Sequence, residues 1–236
     1  MVSPAPLGVT GSFKLDANYT GSQLDEWPRT REGAANVTRG TVSTDATGNL
    51  VLHTSGVDGN FAGIESPEQW RYGYFESSVW LADDGSHQVP NWPAFWLLGD
   101  DWPSGGELDA LEIQDGVDGS SYWYNPVEGR QPDKSHGSQT TVPDPSSSGD
   151  YSATYVRSAM TSPCVPGWHT VGVFWTPGTA AIYKDGKHYC TFSGLKVDVP
   201  MMVIFDNTQG DCGNHYPKPI PSDFKVRFFR HWTLTS

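Results

Sequence analysis

Glycine and proline divide this chain into pieces too short for most kinds of secondary structure. Its 236 residues include 26 Gly and 18 Pro, and no amphipathic helical run of a dozen residues survives between them. The remaining pieces are short, and several alternate between apolar and polar residues. This pattern predicts many short strands joined by turns, and therefore an all-β protein.

About a dozen stretches of the sequence are strand candidates. In chain order they are GSFKL, NLVLHTS, FAGIES, YGYFESSVWLA, PAFWLLG, ELDALEIQ, SYWYN, WHTVGVFW, TAAIYK, KHYCTF, PMMVIFDNTQGD and FKVRFFRHWTL. The turn signals TPG and DG join three of them into a meander of antiparallel hairpins. The chain has no internal repeat and no domain linker, so we expect a single domain, 1–236, made of two packed antiparallel sheets.

A long polar segment, roughly 126–163, interrupts this series of strands. Loops longer than ~15 residues are uncommon in compact domains, and they tend to be functional or disordered. We expect this one to be either a solvated excursion or a wall or lid over a groove.

The composition limits the classes of molecule that the protein is expected to bind. The formal net charge of −12 argues against nucleic acid and anionic membrane surfaces. No apolar segment approaches the ~20 residues that span a bilayer. The chain also has 10 Trp, 10 Tyr and 10 Phe, and flat apolar faces with a polar edge suit stacking on ligands. A neutral polymer is the ligand that these properties favour.

The scarcity of lysine and the many Trp and Thr residues are typical of secreted proteins. We therefore expect an extracellular protein, and we expect it to be a monomer. Cys164, Cys190 and Cys212 allow at most one disulfide within the chain.

The stretch GELDALE, residues 106–112, carries three acids at a spacing that fits no regular element. On a strand Glu107 and Asp109 share one face while Glu112 points to the other. On a helix the first two side chains diverge by about 200°. A β-bulge at Ala110 or Leu111 absorbs one residue and returns Glu112 to the face of its neighbours. Because bulges gather near active sites, we predict that all three acids line one face.

Three adjacent carboxylates repel one another, so we expect at least one to hold its proton above the pKa of ~4.3 of an ordinary Glu. A proton donor beside an ionised carboxylate is what glycoside hydrolysis requires. A calcium site is an alternative, and E-x-D-x-x-E also arises by chance on solvated surfaces. Trp92 and Trp96 lie just upstream, four residues apart and hence on one face of a strand, which favours sugar binding.

The same region resembles glycoside hydrolase family 16. ELDALE fits the family signature E-[ILV]-D-x-(x)-E and carries the extra residue of its bulged, laminarinase-like branch. YGYFESSVWLA resembles the family's YGRFEARIKLP, NWPAFWLLG its WPAFWLLP, and GWHTVGVFWTPGTAAIYKDGK its FHTYAVEWTPDKIKFYVDGK. The similar stretches come in the family's order, and the 126–163 segment alone is unmatched.

The resemblance implies a β-jelly-roll sandwich with a concave groove, in which a β-linked polysaccharide is cleaved internally with retention of configuration. Glu107 matches the nucleophile, Asp109 the assisting acid and Glu112 the general acid/base. Trp96 and Trp102 match the tryptophans that hold the sugar on the non-reducing side of the scissile bond. No cofactor is implied.

The sequence departs from the family pattern at three places. Trp123, in SYWYN, stands where the laminarinase-like pattern has a histidine, which suggests an altered substrate subsite. Phe224 stands where a calcium-binding Asp is frequent, with Asp223 adjacent, so we assume no metal. FDNTQGD replaces the usual NLAVGG, which makes Asn207 and Gln209 candidate substrate contacts.

The function that the sequence favours is an endo-acting glucanase of the laminarinase type, with β-1,3-glucan as the first choice of substrate. Trp123 motivates a second reading with the same mechanism on a galactan, either agarose or β-1,3-galactan. A non-catalytic glycan-binding module is an alternative of another class. Modules of that kind lose one or more of the acids, whereas this chain has all three. Hydrolysis and transglycosylation both remain open.

Overall fold

The computed structural model of the protein describes residues 12–30, 38–57, 59–100, 105–114, 117–124, 140–143, 152–163, 165–209 and 220–235. For 38–39, 114, 117–124, 140–143 and 152–163 it describes the backbone alone.

The described residues form sixteen strands and a four-residue helix. The elements are β1 (Ser12–Thr20), α1 (Gly21–Leu24), β2 (Thr38–Arg39), β3 (Thr41–Thr44), β4 (Leu50–Ser55), β5 (Asn60–Trp70), β6 (Gly73–Leu81), β7 (Trp92–Gly99), β8 (Glu107–Gln114), β9 (Val117–Tyr124), β10 (Thr140–Pro143), β11 (Ser152–Pro163), β12 (Gly167–Thr176), β13 (Thr179–Lys184), β14 (Lys187–Ser193), β15 (Met201–Thr208) and β16 (Pro221–Thr235). In this part of the chain, no helix has the length and apolar character needed to cross a membrane.

The strands form two eight-stranded sheets, which we call the outer and the inner sheet. The outer sheet has the order β14-β13-β12-β6-β16-β4-β3, and β1 pairs with β16 beside this path. The inner sheet has the order β10-β11-β9-β8-β7-β15-β5-β2. Pairing is antiparallel except between β2 and β5, which pair in parallel over two residues. The predicted all-β sandwich of two antiparallel sheets is confirmed.

Aromatic side chains from both sheets meet in the core between them. Phe95 of β7 and Phe205 of β15 stack with their ring centroids 4.8 Å apart. Phe229 of β16, from the outer sheet, packs edge-on against both rings at 6.4 and 6.3 Å. All three are fully buried, and burying one such side chain stabilises a fold by roughly 1.5–3 kcal/mol. These contacts hold β7 and β15 in place, and both strands carry residues of the site described below.

The hairpins that join β12, β13 and β14 follow the turn signals in the sequence. Thr176 pairs with Thr179 across TPG, and Lys184 pairs with Lys187 across DG. Asp185 and Gly186 have φ angles of 48° and 73°, which a two-residue hairpin turn of the mirror-image type requires at both central positions. The predicted meander is therefore confirmed.

Two parts of the polar 126–163 segment are described and differ from the expected loop, whereas 126–139 and 144–151 lie outside the described residues. The segment contains β10, which pairs with β11, and β11, which also pairs with β9. The segment thus widens the inner sheet beyond β9, beside the strand that carries the acids. A free excursion is excluded for these two strands, because their backbone groups are bonded into the sheet.

Candidate active site

Strand β8 contains the bulge that its sequence predicts. Against β7, Asp109 pairs with Trp96 and Leu111 pairs with Phe95, so Ala110 is the extra residue. Against β9, the register shifts by one residue between Asp109 and Glu112. The irregularity lies where the acid spacing places it, and the prediction is confirmed.

The bulge separates β8 into an apolar side and an acidic side. Leu108, Ala110, Leu111 and Ile113 all lie in the hydrophobic core between the sheets. Two consecutive residues, Ala110 and Leu111, thus point inward, as the extra residue requires. The three acids occupy the opposite side of the inner sheet, which we call the acid face.

Three cross-strand rows run over the acid face, and each contains one acid of β8. Glu107 lies between Leu98 of β7 and Trp123 of β9. Asp109 lies between Trp96 and Ser121, and Glu112 lies between Ala94 and Gly119. Asp109 is buried, with 3% of its surface exposed, whereas Glu107 and Glu112 are half-buried.

This arrangement suits a pair of cooperating carboxyls. The backbones of Glu107 and Glu112 are two rows apart, roughly 13 Å at ~3.3 Å per residue. Two glutamate side chains that lean inward over the shorter Asp109 can shorten this distance. A separation of ~5–5.5 Å between the carboxyls is typical of retaining glycosidases.

Gly106 fixes the start of β8. Its φ angle is +78°, and a Cβ at this position would lie 2.0 Å from Val197 Cγ2. Its carbonyl oxygen accepts a hydrogen bond of 3.0 Å from the Gly99 amide at the end of β7. Both the left-handed backbone and the close approach require a glycine. The backbone that enters Glu107 is therefore tightly constrained.

The structure describes the four candidate sugar-binding tryptophans to different extents. Trp92 and Trp96 lie on the acid face of β7 and are both half-buried. Trp123 pairs through its backbone with Glu107, so the residue lies in the row of the expected nucleophile. The Trp123 side chain and the whole of Trp102 lie outside the described residues. The binding roles of all four remain predictions.

Asn207 and Gln209 are placed in the interior, and their prediction as substrate contacts is corrected. Both are almost fully buried. Asn207 Nδ2 donates to the carbonyl oxygen of Leu52, on the outer sheet, at 3.2 Å. Gln209 accepts a 2.6 Å hydrogen bond from the Gly56 amide and donates to the carbonyl oxygen of Ile220. They satisfy buried backbone groups between the sheets and do not reach the acid face.

Asp206, which the sequence analysis did not single out, lies on the acid face instead. Its carboxylate accepts a 2.6 Å hydrogen bond from Trp96 Nε1 and a 3.1 Å bond from Thr208 Oγ1. Burial raises the pKa of Asp206 to about 7, opposed by the hydrogen bonds from Trp96 and Thr208 and reinforced by the charge of Glu112.

The alternation of β15 was the signal that could have found Asp206. Met201, Val203 and Phe205 all lie in the core, and side chains alternate along a strand. The same parity sends Asn207 inward and Asp206 outward.

A phenylalanine occupies the position where the family frequently has a calcium-binding Asp. Phe224 is buried in the core, and the carboxylate of Asp223 forms a 2.8 Å hydrogen bond with His53 Nδ1. Among the described residues, no three or more His, Cys, Asp or Glu side chains are grouped to hold a metal ion. Cys164 and Cys212 lie outside these residues, so the structure does not test the disulfide.

Comparison of the sequence with known proteins gives one short match. No protein-family model matches the chain. A stretch of 41 residues, 16% of the chain, is 49% identical to a probable glycosidase of Schizosaccharomyces pombe. The match spans only 10% of that protein's length.

Comparison with solved structures covers nearly the whole chain. SCLam, a non-specific endo-β-1,3(4)-glucanase of glycoside hydrolase family 16, has a TM-score of 0.69 at 18% identity, with 98% of this chain and 94% of that chain covered. A laminarinase of a Flavobacterium species has a TM-score of 0.65 at 19% identity, with coverage of 93% and 100%. An endo-β-galactosidase of Clostridium perfringens has a TM-score of 0.63 at 16% identity, with coverage of 98% and 66%.

These neighbours define the fold. The chain has the β-jelly-roll fold of the family 16 laminarinases and endo-1,3(4)-β-glucanases, as its motifs predict. A SCLam variant was co-crystallised with 1,3-β-D-cellotriosyl-glucose, and it matches this chain with a TM-score of 0.68 at 19% identity, with 97% of each chain covered.

Proposed function

We propose that the protein is a retaining, endo-acting glycoside hydrolase that cleaves β-1,3-glucan. The observation that carries this proposal is the bulged strand β8, which aligns Glu107, Asp109 and Glu112 on one face beside Trp96. The named activities of the glucanases and laminarinases with this fold support it.

The reaction needs two carboxyl groups in different protonation states. Ionised Glu107 attacks the anomeric carbon while protonated Glu112 gives its proton to the departing glycosidic oxygen, and a glycosyl-enzyme ester forms. Glu112 then takes a proton from water, and the resulting hydroxide displaces Glu107 from the sugar. Asp109, buried between them, tunes both neighbours through its charge. Trp96 offers an indole face on which a sugar ring can stack.

Release of oligosaccharides from laminarin tests the proposal. We expect internal cleavage by the wild type, and Glu107→Gln should lower kcat by on the order of 10⁴-fold or more, because an amide is no nucleophile. Glu68→Gln is the matched control, since Glu68 also lies on an inner-sheet strand but is exposed and accepts a hydrogen bond from Tyr19 of β1, on the outer sheet. Absence of cleavage by the wild type would reject the β-1,3-glucan assignment.

The pH dependence gives a second test of the roles. Because Glu107 must be ionised and Glu112 protonated, kcat/KM should follow a bell-shaped profile on the acid-to-neutral side. The measurement is initial rate on laminarin from pH 3 to pH 10. A rate that stays flat well above neutrality would contradict Glu112 as the acid.

A galactan is the second candidate substrate. Trp123 lies in the row of Glu107, where the laminarinase-like pattern has a histidine, and an endo-β-galactosidase shares the fold. Parallel digests of agarose and β-1,3-galactan separate the two readings by the products released. We also propose that the protein is monomeric and acts outside the cell, where large polysaccharides are accessible. Light scattering and detection of the protein in culture medium test these two points.

A further inference from the structure

A fourth carboxylate lies on the acid face, on the strand beyond β7. Ala94 of β7 pairs with Glu112 on one side and with Asp206 of β15 on the other. Paired residues of adjacent strands point to the same side of a sheet, so Asp206 and Glu112 share one cross-strand row. Ala94, which lies between them, has only a methyl side chain, and the negative charge of Glu112 raises the pKa of Asp206.

The carboxylate of Asp206 also contacts the tryptophan beside the acids. Trp96 Nε1 donates to Asp206 Oδ2 at 2.6 Å, a short, charge-assisted distance. Thr208 Oγ1 donates to Asp206 Oδ1 at 3.1 Å, so each carboxyl oxygen has a donor. The edge of the Trp96 indole is thereby tied to β15, and the ring cannot turn without breaking this bond.

Neighbouring side chains shield Asp206 from water. It pairs with Gly63 of β5, and a Cβ at Gly63 would lie 2.6 Å from Thr30 Cγ2, 2.7 Å from Phe61 Cζ and 3.0 Å from Asp206 Cβ. These three side chains therefore converge over the glycine, and Asp206 is 6% exposed. In so dry a setting a charge acts strongly on its neighbours.

We propose that Asp206 is a positioning residue of this site, which holds the Trp96 indole in place for the sugar and whose carboxyl group interacts electrostatically with Glu112 in the same cross-strand row. The proposal rests on the function proposed above. The coupling is reciprocal: if ionised Glu112 disfavours the charge on Asp206, then ionised Asp206 disfavours the charge on Glu112 to the same extent.

Few other charged groups among the described side chains lie near Asp206, and Arg39 of β2, whose side chain is not among them, pairs through its backbone with Phe61 of β5. On the acid face, β7 and the described part of β15 contribute no further titratable side chain, whereas β5 contributes Glu65. Strand β8 contributes Glu107 and Asp109 besides Glu112. In the segment that contains Thr30, Arg29 is engaged with Asp25 at 2.7 Å. Among the described side chains, Glu112 is thus the carboxylate in the row of Asp206.

Two substitutions separate the roles of Asp206 in catalysis. Asp206→Asn keeps an oxygen acceptor for Trp96 and removes the charge. We expect its KM on laminarin to stay nearly unchanged, because Trp96 keeps its acceptor. Asp206→Ala removes the acceptor and releases the indole, so KM should rise about tenfold with kcat nearly unchanged. A KM that rises equally in both variants, or in neither, would overturn the proposal, because rescue by the conservative variant separates the hydrogen bond to Trp96 from a general structural role.

A measurement without substrate tests the proposal independently of which glycan the protein binds. The indole ¹H–¹⁵N resonance of Trp96, assigned by its loss in Trp96→Phe, should titrate near pH 7 in the wild type and stay flat in Asp206→Asn. In Glu112→Gln the midpoint should fall, because one repelling charge is gone. A wild-type resonance that does not titrate, or a midpoint that Glu112→Gln leaves unchanged, overturns the proposal. A coupled titration in a protein that cleaves no glycan would instead reject the proposed function alone.

Discussion

At the scale of single residues, Asp206 makes the folded protein less stable as the pH rises. Its pKa is about 7 in the folded state against an ordinary value of 3.8. Between these two values the folded state binds the proton and the unfolded state does not, so stability falls as pH rises from ~4 to ~7. Three pKa units correspond to at most about 4 kcal/mol.

Asp206→Asn should remove this pH dependence. We expect its free energy of unfolding, relative to the wild type, to improve by up to about 4 kcal/mol between pH 4 and pH 8. Urea unfolding of both proteins at the two pH values measures the difference. Wild-type and variant curves that stay parallel would mean that Asp206 is ionised throughout.

Single residues also show which parts of the site could be predicted from the sequence. The alignment of the three acids on one face was predicted from their spacing, because residues an odd interval apart share a face of a strand only where a bulge absorbs one residue. Asn207 and Gln209 were misplaced because a polar side chain was assumed to face the substrate, whereas their amides satisfy the backbone groups of Gly56, Ile220 and Leu52. Asp206 was missed although the parity of β15 places it outward.

At the scale of elements, the bulge in β8 can be removed by a one-residue deletion or enlarged by a one-residue insertion. Deleting Ala110 leaves the pairs Trp96–Asp109 and Phe95–Leu111 intact, so the acids should stay on their face and the protein should fold. The local twist changes, and misplacement of Glu112 by about 1 Å should lower kcat about 100-fold. Adding a second alanine after Ala110 instead turns Glu112 into the core. That variant should lose several kcal/mol of stability, since it buries a charge without a partner.

Circular dichroism, urea unfolding and laminarin digestion distinguish the two variants. A deletion that unfolds the protein, or an insertion that leaves it as stable as the wild type, would contradict the assignment of Ala110 as the extra residue.

The turn into β8 can be tested with a matched pair of glycines. Gly106 and Gly178 have nearly equal φ angles of +78° and +77°, but a Cβ meets Val197 at the first and nothing within 4 Å at the second. Gly178→Ala should therefore cost about 1 kcal/mol of backbone strain and leave activity unchanged. Gly106→Ala should cost more and also lower kcat, because Glu107 follows it directly. Equal losses of activity in both variants would show that the contact with Val197 is unimportant.

Most of the strands that the sequence analysis missed are short and lie at the sheet edges. The twelve candidate strands correspond to twelve of the sixteen in the described chain, and the four without a candidate are β2, β3, β10 and β11. Three of these are only two to four residues long, and β2, β3 and β10 end their sheets. An edge strand covers less core than a central strand, so its alternation is weak. The pairing of β10 with β11, and of β11 with β9, was therefore not visible in the polar sequence.

At the scale of the whole molecule, the net charge of −12 bears on the choice of polymer. We expect turnover of neutral laminarin to change little between ~10 mM and ~500 mM salt. Sulfated laminarin should have a higher KM at low salt, and the difference should shrink as salt screens the repulsion. Paired KM measurements on the two polymers give the result. A KM for the sulfated polymer that rises with salt would indicate a local basic surface at the site.

The pairing of β1 with β16 has a consequence for how this protein can be joined to others. Ser12 and Thr235 are direct cross-strand partners, so the two ends of the described sandwich are about 5 Å apart. Both strands belong to the outer sheet, on the other side of the core from the acid face. A short peptide could close the backbone into a ring, and new ends could be opened at a hairpin such as that at Gly178. Modules joined at Ser12 or Thr235 would likewise emerge from the outer sheet, on the side opposite the acid face.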